Sequence, residues 1–171
     1  MKILIYTTHR TGSTSLANFL VYHYPDSDYI RNIDINEIKN IDNRIIKFTP
    51  NEMPYESIYK LFDKRIILIR ENKKEQAESR LYADLVEKKF SDYTIPKEFL
   101  QKYSKEIEDL QIKIEEENLY LKSCKDCLQI TYEELFFSYE GVRKLEEYLG
   151  IEFKFMLDNR KRYRNGTKTL I

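Results

Sequence analysis

Near its amino terminus the chain reads Ile3-Leu4-Ile5-Tyr6-Thr7-Thr8-His9-Arg10-Thr11-Gly12-Ser13-Thr14-Ser15-Leu16. A short apolar run is followed by a basic turn with a glycine and several hydroxyl groups, and then by the amphipathic segment Leu16 to Val21. This order predicts a strand, a phosphate-binding loop and a helix, because backbone N–H groups and the positive helix end point at the loop. An ordinary strand–helix turn capped by Ser13 or Thr14 is the alternative.

The side chains of this loop suit an anion. Arg10 supplies a positive charge, and Ser13, Thr14 and Ser15 supply hydroxyl donors. The loop is not a Walker A motif, since the pattern G-x-x-x-x-G-K-[ST] does not occur in the sequence. We therefore predict an anion site of another kind, with Arg10 as its cation.

The composition limits the class of protein. A chain of 171 residues with 42% hydrophobic and 13% aromatic residues suits one packed globular domain over residues 1–171. The 29 basic and 29 acidic residues balance, whereas a general nucleic-acid binder carries a basic excess, so we expect no nucleic-acid partner. No apolar run approaches the ~20 residues that span a bilayer, and no signal-peptide pattern opens the sequence. We expect a cytoplasmic protein without a membrane partner.

The two cysteines, Cys124 and Cys127, form a C-x-x-C pattern. A zinc site needs about four ligands, and the sequence offers no second cysteine pair, while His9 and His23 lie far away in sequence. A redox pair normally sits at the start of a helix, but these residues precede a predicted strand. We interpret both as plain reduced cysteines and expect no metal.

Strands and helices alternate along the chain. Strands are predicted at Lys2 to Tyr6, Arg44 to Phe48, Arg65 to Ile69 and Leu128 to Thr131, with a weaker one near Tyr29 to Ile33. Helices are predicted at Ser13 to Tyr24, Tyr55 to Phe62, Lys73 to Lys89, Lys97 to Lys122 and Gly141 to Leu149. This alternation predicts a three-layer α/β domain with a mostly parallel sheet of four or five strands and a P-loop-like topology.

The longest predicted helix, Lys97 to Lys122, carries an apolar stripe at three-, four- and seven-residue spacings. Packing of this stripe on the rest of the domain is the favoured interpretation. A coiled-coil seam between two copies of the chain is the alternative, which would make the protein a homodimer.

A second polar position follows the strand Arg65 to Ile69. Arg70 ends that strand, and Ser79 lies two to three turns along the next helix. A polar residue at the carboxyl end of a parallel strand faces the ligand crevice, and an arginine with a hydroxyl suits a phosphate. A surface arginine and a helix-packing serine are the alternative.

Together these segments resemble the sulfotransferases that use 3′-phosphoadenosine 5′-phosphosulfate (PAPS). That family holds the 5′-phosphosulfate with [KR]-[ST]-G-[ST]-[ST], which here reads Arg10-Thr11-Gly12-Ser13-Thr14. It holds the 3′-phosphate with a strand-end Arg and a later Ser, here Arg70 and Ser79, and the wording R-E-N-x-x-x-Q-A-x-S is similar to bacterial members. A third match is Leu128-Gln129-Ile130-Thr131-Tyr132-Glu133-Glu134-Leu135, followed by Leu145, Tyr148, Leu149, Gly150 and Ile151.

The resemblance implies a P-loop NTPase-like sulfotransferase fold. It also implies transfer of a sulfonate group from PAPS to a hydroxyl or amine of a small-molecule or glycan acceptor, with 3′,5′-bisphosphoadenosine (PAP) as product and no metal. The residues expected to bind the donor are Arg10, Thr11, Gly12, Ser13, Thr14, Ser15, Arg70, Ser79, Arg164 and Gly166. For Arg164 and Gly166, which lie in a basic carboxy-terminal segment, a frayed, solvated tail is the alternative. Arg10 is expected to neutralise the leaving bisphosphate, and Lys47 is expected to reach the transferring sulfonate from the neighbouring strand.

The chain also departs from the family. It is short, and the stretch Ile45-Ile46-Lys47-Phe48-Thr49 keeps the family's Lys but has Thr49 where cytosolic members carry a catalytic His. Candidate general bases are Glu37, Asp34 and His9, with Glu37 ranked slightly above His9. Two other functions stay open: a nucleotide or small-molecule kinase or NTPase of the same broad fold, and a non-catalytic nucleotide-binding module.

Overall fold

The computed structural model describes residues 1–31, 33–86 and 94–153. Within them the five strands form one sheet in the order β2-β3-β1-β4-β5, and every neighbouring pair is parallel. The strands are β1 (Lys2–Thr7), β2 (Asp28–Arg31), β3 (Arg44–Phe48), β4 (Lys64–Ile69) and β5 (Leu128–Thr131). The predicted parallel α/β sheet is confirmed.

Helices cover both faces of this sheet. They are α1 (Ser13–His23), α2 (Ile35–Ile38), α3 (Tyr55–Ile58), α4 (Lys73–Val86), α5 (Lys97–Lys102), α6 (Ser104–Ser123), α7 (Tyr132–Phe137) and α8 (Tyr139–Leu149), with a short 3₁₀ turn at Tyr59–Leu61. Parallel strands joined by helical crossovers bury both faces of the sheet, which is why the three central strands, β3, β1 and β4, are mostly apolar.

Successive residues of β1 enter two different cores. Ile3 and Ile5 pack with α1 and α8, whereas Leu4 and Tyr6 pack with residues of α2, α3 and α6. The three-layer arrangement follows directly from this alternation. It leaves the carboxyl ends of the strands as one edge at which several polar side chains meet.

The longest predicted helix is two helices in the structure. The chain turns at Tyr103, between α5 and α6, where the backbone leaves the helical region (φ −111°, ψ 26°). Aromatic packing accompanies the break, since Phe99 contacts both Tyr103 and Tyr82 of α4 at centroid distances of 4.6 and 4.9 Å. On α6 the apolar stripe packs against α4 within the chain, with Ile107 and Ile114 beside Ala77. The homodimer stays a prediction.

Other differences are at short elements. The weak second strand ends at Arg31, and two short helices, α2 and α7, were not assigned as separate helices from the sequence.

Cys124 is buried and Cys127 half-buried, and both are free. Burial raises the pKa of the Cys124 thiol to about 12 and also raises that of Cys127, so both are poor nucleophiles. Among the described residues, no helix is both long and apolar enough to cross a membrane.

Candidate phosphate-binding site

The loop between β1 and α1 has an unusual backbone. Arg10 and Gly12 both adopt left-handed conformations, with φ of 64° and 76°. Gly12 is also the N-cap of α1, and no side-chain hydrogen bond caps that helix. The alternative of a Ser13 or Thr14 cap is therefore wrong. A helix start without a side-chain cap directs backbone N–H groups outward, which suits an anion.

Gly12 also lies against two aromatic rings. A Cβ atom at this position would come within 2.7 Å of Phe136 and 2.9 Å of Tyr132. Only glycine fits such a close approach together with a positive φ. The loop and helix α7 are thereby held in direct contact.

Buried hydrogen bonds fix the loop from below. The hydroxyls of Thr7 and Thr11 lie 2.6 Å apart, and Thr11 also donates to the Thr8 carbonyl at 3.1 Å. Gln76 of α4, which is fully buried, donates from Nε2 to both Thr8 Oγ1 and the His9 carbonyl, each at 2.7 Å. The Thr11 hydroxyl thus stabilises the loop, so its side chain has a structural function there.

The loop cation reaches the helix after β4. Arg10 Nε donates a hydrogen bond to Ser79 Oγ at 2.9 Å. Both side chains are half-buried. The sequence predicted that Ser79 would join Arg70 on one phosphate, whereas in the structure its hydroxyl contacts the loop arginine. Ser13 is buried, Ser15 half-buried and Thr14 exposed at the same helix start.

Arg70 lies directly behind this pair. It is 9% exposed, and its Nη1 donates to the Arg10 carbonyl at 3.2 Å. The guanidinium lies over the Tyr132 ring at 4.6 Å and forms an ion pair with Glu75 at 2.6 Å. Its Nε is buried and has no hydrogen-bond partner among the described residues. The structure therefore brings the two predicted arginines and Ser79 to one place.

The Tyr132-Glu133-Glu134 segment forms the first turn of helix α7 and contacts Arg70 and the residues that follow it. Thr131 and Glu134 form a reciprocal capping box, so the helix starts with Tyr132 beside Arg70. The Glu133 carboxylate accepts hydrogen bonds from the backbone N–H groups of Glu71 and Asn72, at 3.0 and 3.1 Å, just before α4. The Lys144 ammonium, 2.7 Å from Glu134, lowers the pKa of that carboxyl. Sequence reasoning did not give these positioning roles.

His9 and Lys47 share the same edge of the sheet. Lys47 is half-buried near the end of β3, beside Ile5 of β1. Although His9 lies at the surface, partial desolvation of its ring lowers its pKa from 6.5, and the positive charges of Lys47 and Arg80 lower it further. The carboxylates of Glu52 and Asp84 oppose this shift. His9 is therefore a neutral imidazole at neutral pH.

Thr49, at the position where cytosolic sulfotransferases carry a catalytic His, is buried. Thr49 is 2% exposed, and its backbone N–H donates to Glu52 at 2.6 Å. Its hydroxyl is buried without a hydrogen-bond partner among the described residues. Thr49 therefore presents no group that accepts a proton from an acceptor.

Two of the remaining predicted residues, Glu37 and Asp34, belong to α2 and its N-cap. Glu37 is exposed on α2, and the next residue, Ile38, accepts a hydrogen bond from Lys2 at the amino-terminal start of β1. The loop follows the other end of that strand. Asp34 accepts a hydrogen bond from Asn36 as the N-cap of α2. Arg164 and Gly166 lie outside the described residues.

A comparison with solved structures bears on this arrangement. Mouse sulfotransferase SULT7A1, solved in complex with PAP, matches this chain with a TM-score of 0.54 and 23% sequence identity. The chain has a sulfotransferase fold. The match covers 90% of this chain but only 60% of the mouse protein. No protein-family model and no curated protein matches the sequence.

Proposed function

We propose that this chain is a sulfotransferase that uses PAPS as donor and a hydroxyl or amine of a small molecule or glycan as acceptor. The observation that carries the proposal is the convergence of Arg10, Ser79 and Arg70 at the carboxyl edge of a parallel sheet with a sulfotransferase fold. Two arginines so close together favour a ligand with more than one anionic group.

The donor groups are assigned to different elements. The 5′-phosphosulfate is assigned to the loop, where Arg10, Ser13, Thr14 and Ser15 lie at the start of α1 and the backbone N–H groups add further donors. The 3′-phosphate is assigned to Arg70, whose buried position gives a stronger electrostatic interaction than a surface arginine would. Arg164 and Gly166 are proposed to contribute from the carboxy-terminal segment.

The reaction is a single group transfer. The acceptor oxygen or nitrogen forms a bond to sulfur while the bond between sulfur and the bridging oxygen of PAPS breaks, and PAP leaves with the electron pair. Negative charge that develops on the bridging oxygen is stabilised by Arg10, and Lys47 is assigned to the transferring sulfonate. As in phosphoryl transfer, positioning and electrostatic stabilisation supply most of the rate. The proposal requires no metal.

The acceptor's proton is assigned to His9. Its ring lies within electrostatic range of Lys47, and its lowered pKa keeps the imidazole neutral and able to accept a proton. Glu37 becomes the weaker candidate, because its helix approaches the opposite end of β1. Thr49, at the family's usual position for the base, is buried.

An assay of sulfonate transfer from PAPS tests the proposal. Labelled PAPS is incubated with a panel of phenols, alcohols, amines and oligosaccharides, and labelled product is separated from PAPS. We expect PAP release together with a labelled acceptor, and loss of both in Arg10→Ala. Tight PAP binding without turnover on any acceptor would favour a non-catalytic module, and phosphate transfer from ATP would favour a kinase.

A further inference from the structure

The Arg70 guanidinium holds an internal carboxylate. Glu75 Oε2 lies 2.6 Å from Arg70 Nη2, which is shorter than the 3.2 Å between Arg70 Nη1 and the Arg10 carbonyl. Glu75 is in the first turn of α4, five positions after Arg70. The ion pair therefore forms across the connection that leads from β4 into α4.

The other sides of the guanidinium face the protein. Nη1 donates to the Arg10 carbonyl, one face of the planar guanidinium lies over the Tyr132 ring, and Nε is buried. The side chain of Arg70 is 10% exposed, whereas that of Glu75 is 58% exposed. The edge at Nη2 thus contacts the exposed carboxylate of Glu75, and we take this edge as the one that a ligand's anion approaches.

Little else holds Glu75 in place. The same oxygen, Oε2, accepts a hydrogen bond from Asn72 Nδ2 at 3.3 Å. Because the Glu75 side chain is the exposed partner, its carboxylate can rotate into water, and an anion that takes its place restores a charge partner to the buried Arg70 guanidinium. A phosphate dianion that approaches Nη2 meets a like charge at hydrogen-bond distance until Glu75 moves.

We propose that Glu75 is a specificity-determining residue that competes with the ligand's anion for Arg70. A doubly charged phosphate displaces the carboxylate, whereas a weaker anion leaves it in place. This inference rests on the proposed function, because it takes the anion at Arg70 to be the 3′-phosphate of PAP or PAPS. Its effect is confined to ligands that carry that group.

A Glu75 that only positions Arg70 predicts the opposite change in the affinity for PAP. If the carboxylate only orients Arg70, its removal leaves the guanidinium less well positioned, and PAP binds more weakly. If it competes with the ligand, its removal makes PAP bind more tightly. The sign of one affinity change therefore separates the two roles.

The experiment compares the affinities of the wild-type protein, Glu75→Gln and Glu75→Asp for PAP and for 5′-AMP by calorimetry. We expect Glu75→Gln to bind PAP about two- to fivefold more tightly and 5′-AMP unchanged, as suits loss of a competing carboxylate that is itself more than half exposed. Glu75→Asp, whose shorter side chain keeps the charge, should fall in between. The matched control is Glu71→Gln, which removes an exposed carboxylate from the same segment at a residue without an ion pair to Arg70.

The outcomes are distinct. Wild-type protein that does not prefer PAP over 5′-AMP contradicts the proposed function itself. Wild-type protein that prefers PAP, with Glu75→Gln binding it equally or more weakly, overturns the role of Glu75 alone. An equal gain in Glu71→Gln also overturns it, because the effect would then be one of general charge. Thermal unfolding of each variant verifies that it is folded.

Discussion

Arg10 and Ser79 are 69 positions apart in the chain, and their side chains are joined by a hydrogen bond of 2.9 Å. This bond ties the loop after β1 to helix α4. Because Arg70 also donates to the Arg10 carbonyl, the loop arginine is held from both its backbone and its side chain. The regions assigned to the two ends of the donor are therefore one connected structure.

Removal of the Ser79 hydroxyl should weaken PAP binding. A hydrogen bond to a charged group contributes ~1.5–3 kcal/mol to stability, and only the part of it that positions Arg10 for the ligand affects binding, so we expect Ser79→Ala to lose about tenfold in affinity. Arg10→Ala should lose more, and the double variant should bind no worse than Arg10→Ala because one partner is already gone. Calorimetric titration with PAP measures all three, and additive losses would show that the two side chains act independently.

Gly12 offers a test of the loop's packing. Gly12→Ala should destabilise the protein through its positive φ, at ~1–2 kcal/mol, and additionally through contact with Phe136. Gly150 provides a matched control, because its φ of 73° is similar but a Cβ there meets nothing within 4 Å. We expect thermal unfolding to show a larger loss of stability for Gly12→Ala than for Gly150→Ala. Adding Phe136→Leu to Gly12→Ala should restore part of the difference. Equal losses would mean that the aromatic contact is unimportant.

The sheet and the two arginines could be predicted from the sequence for a simple reason. Strands buried on both faces leave continuous apolar runs, and the strand ends follow from where those runs stop. Arg10 and Arg70 each follow such a run, so parallel pairing alone brings them to one edge. The break at Tyr103 was missed because the apolar spacing continues across it, whereas the break is accompanied by aromatic packing on α4.

The finer parts of the site depend on contacts between distant segments. The spacing of Ser79 after Arg70 suggested a shared phosphate, but the helix directs its hydroxyl to Arg10. Glu75 and Gln76 look like ordinary helix residues, but Glu75 pairs with Arg70 across the connection from β4 to α4, and Gln76 gains its partners where α4 approaches the loop. The one sequence signal for the contact between α4 and the loop was Gln76, a polar residue next to Ala77 on the apolar side of that helix.

The pH dependence of transfer tests His9. Its pKa lies below 6.5, so the rate should stay constant at neutral pH and fall only as pH drops through that lowered value, where the imidazole gains a proton. Lys47→Met removes a positive charge that lowers this pKa, so the acidic fall should move to higher pH. His9→Gln should lose the fall together with most of the rate. An unchanged pH profile in His9→Gln would assign the base elsewhere.

Arg70→Ala tests which end of the nucleotide this arginine holds. We expect a loss of PAP affinity while 5′-AMP binding stays nearly unchanged, because only PAP carries a 3′-phosphate. Calorimetry with both ligands on the same preparation gives the comparison. Equal loss for both would show that the phosphates have been assigned to the wrong arginines.

The most direct test is calorimetric binding of PAP, 5′-AMP and ATP to the wild-type protein with EDTA present throughout. We predict metal-independent binding that favours PAP over the other two by tenfold or more, which corresponds to about 1.4 kcal/mol. Tighter binding of ATP that emerges only when Mg²⁺ is restored would contradict the sulfotransferase assignment and favour a kinase.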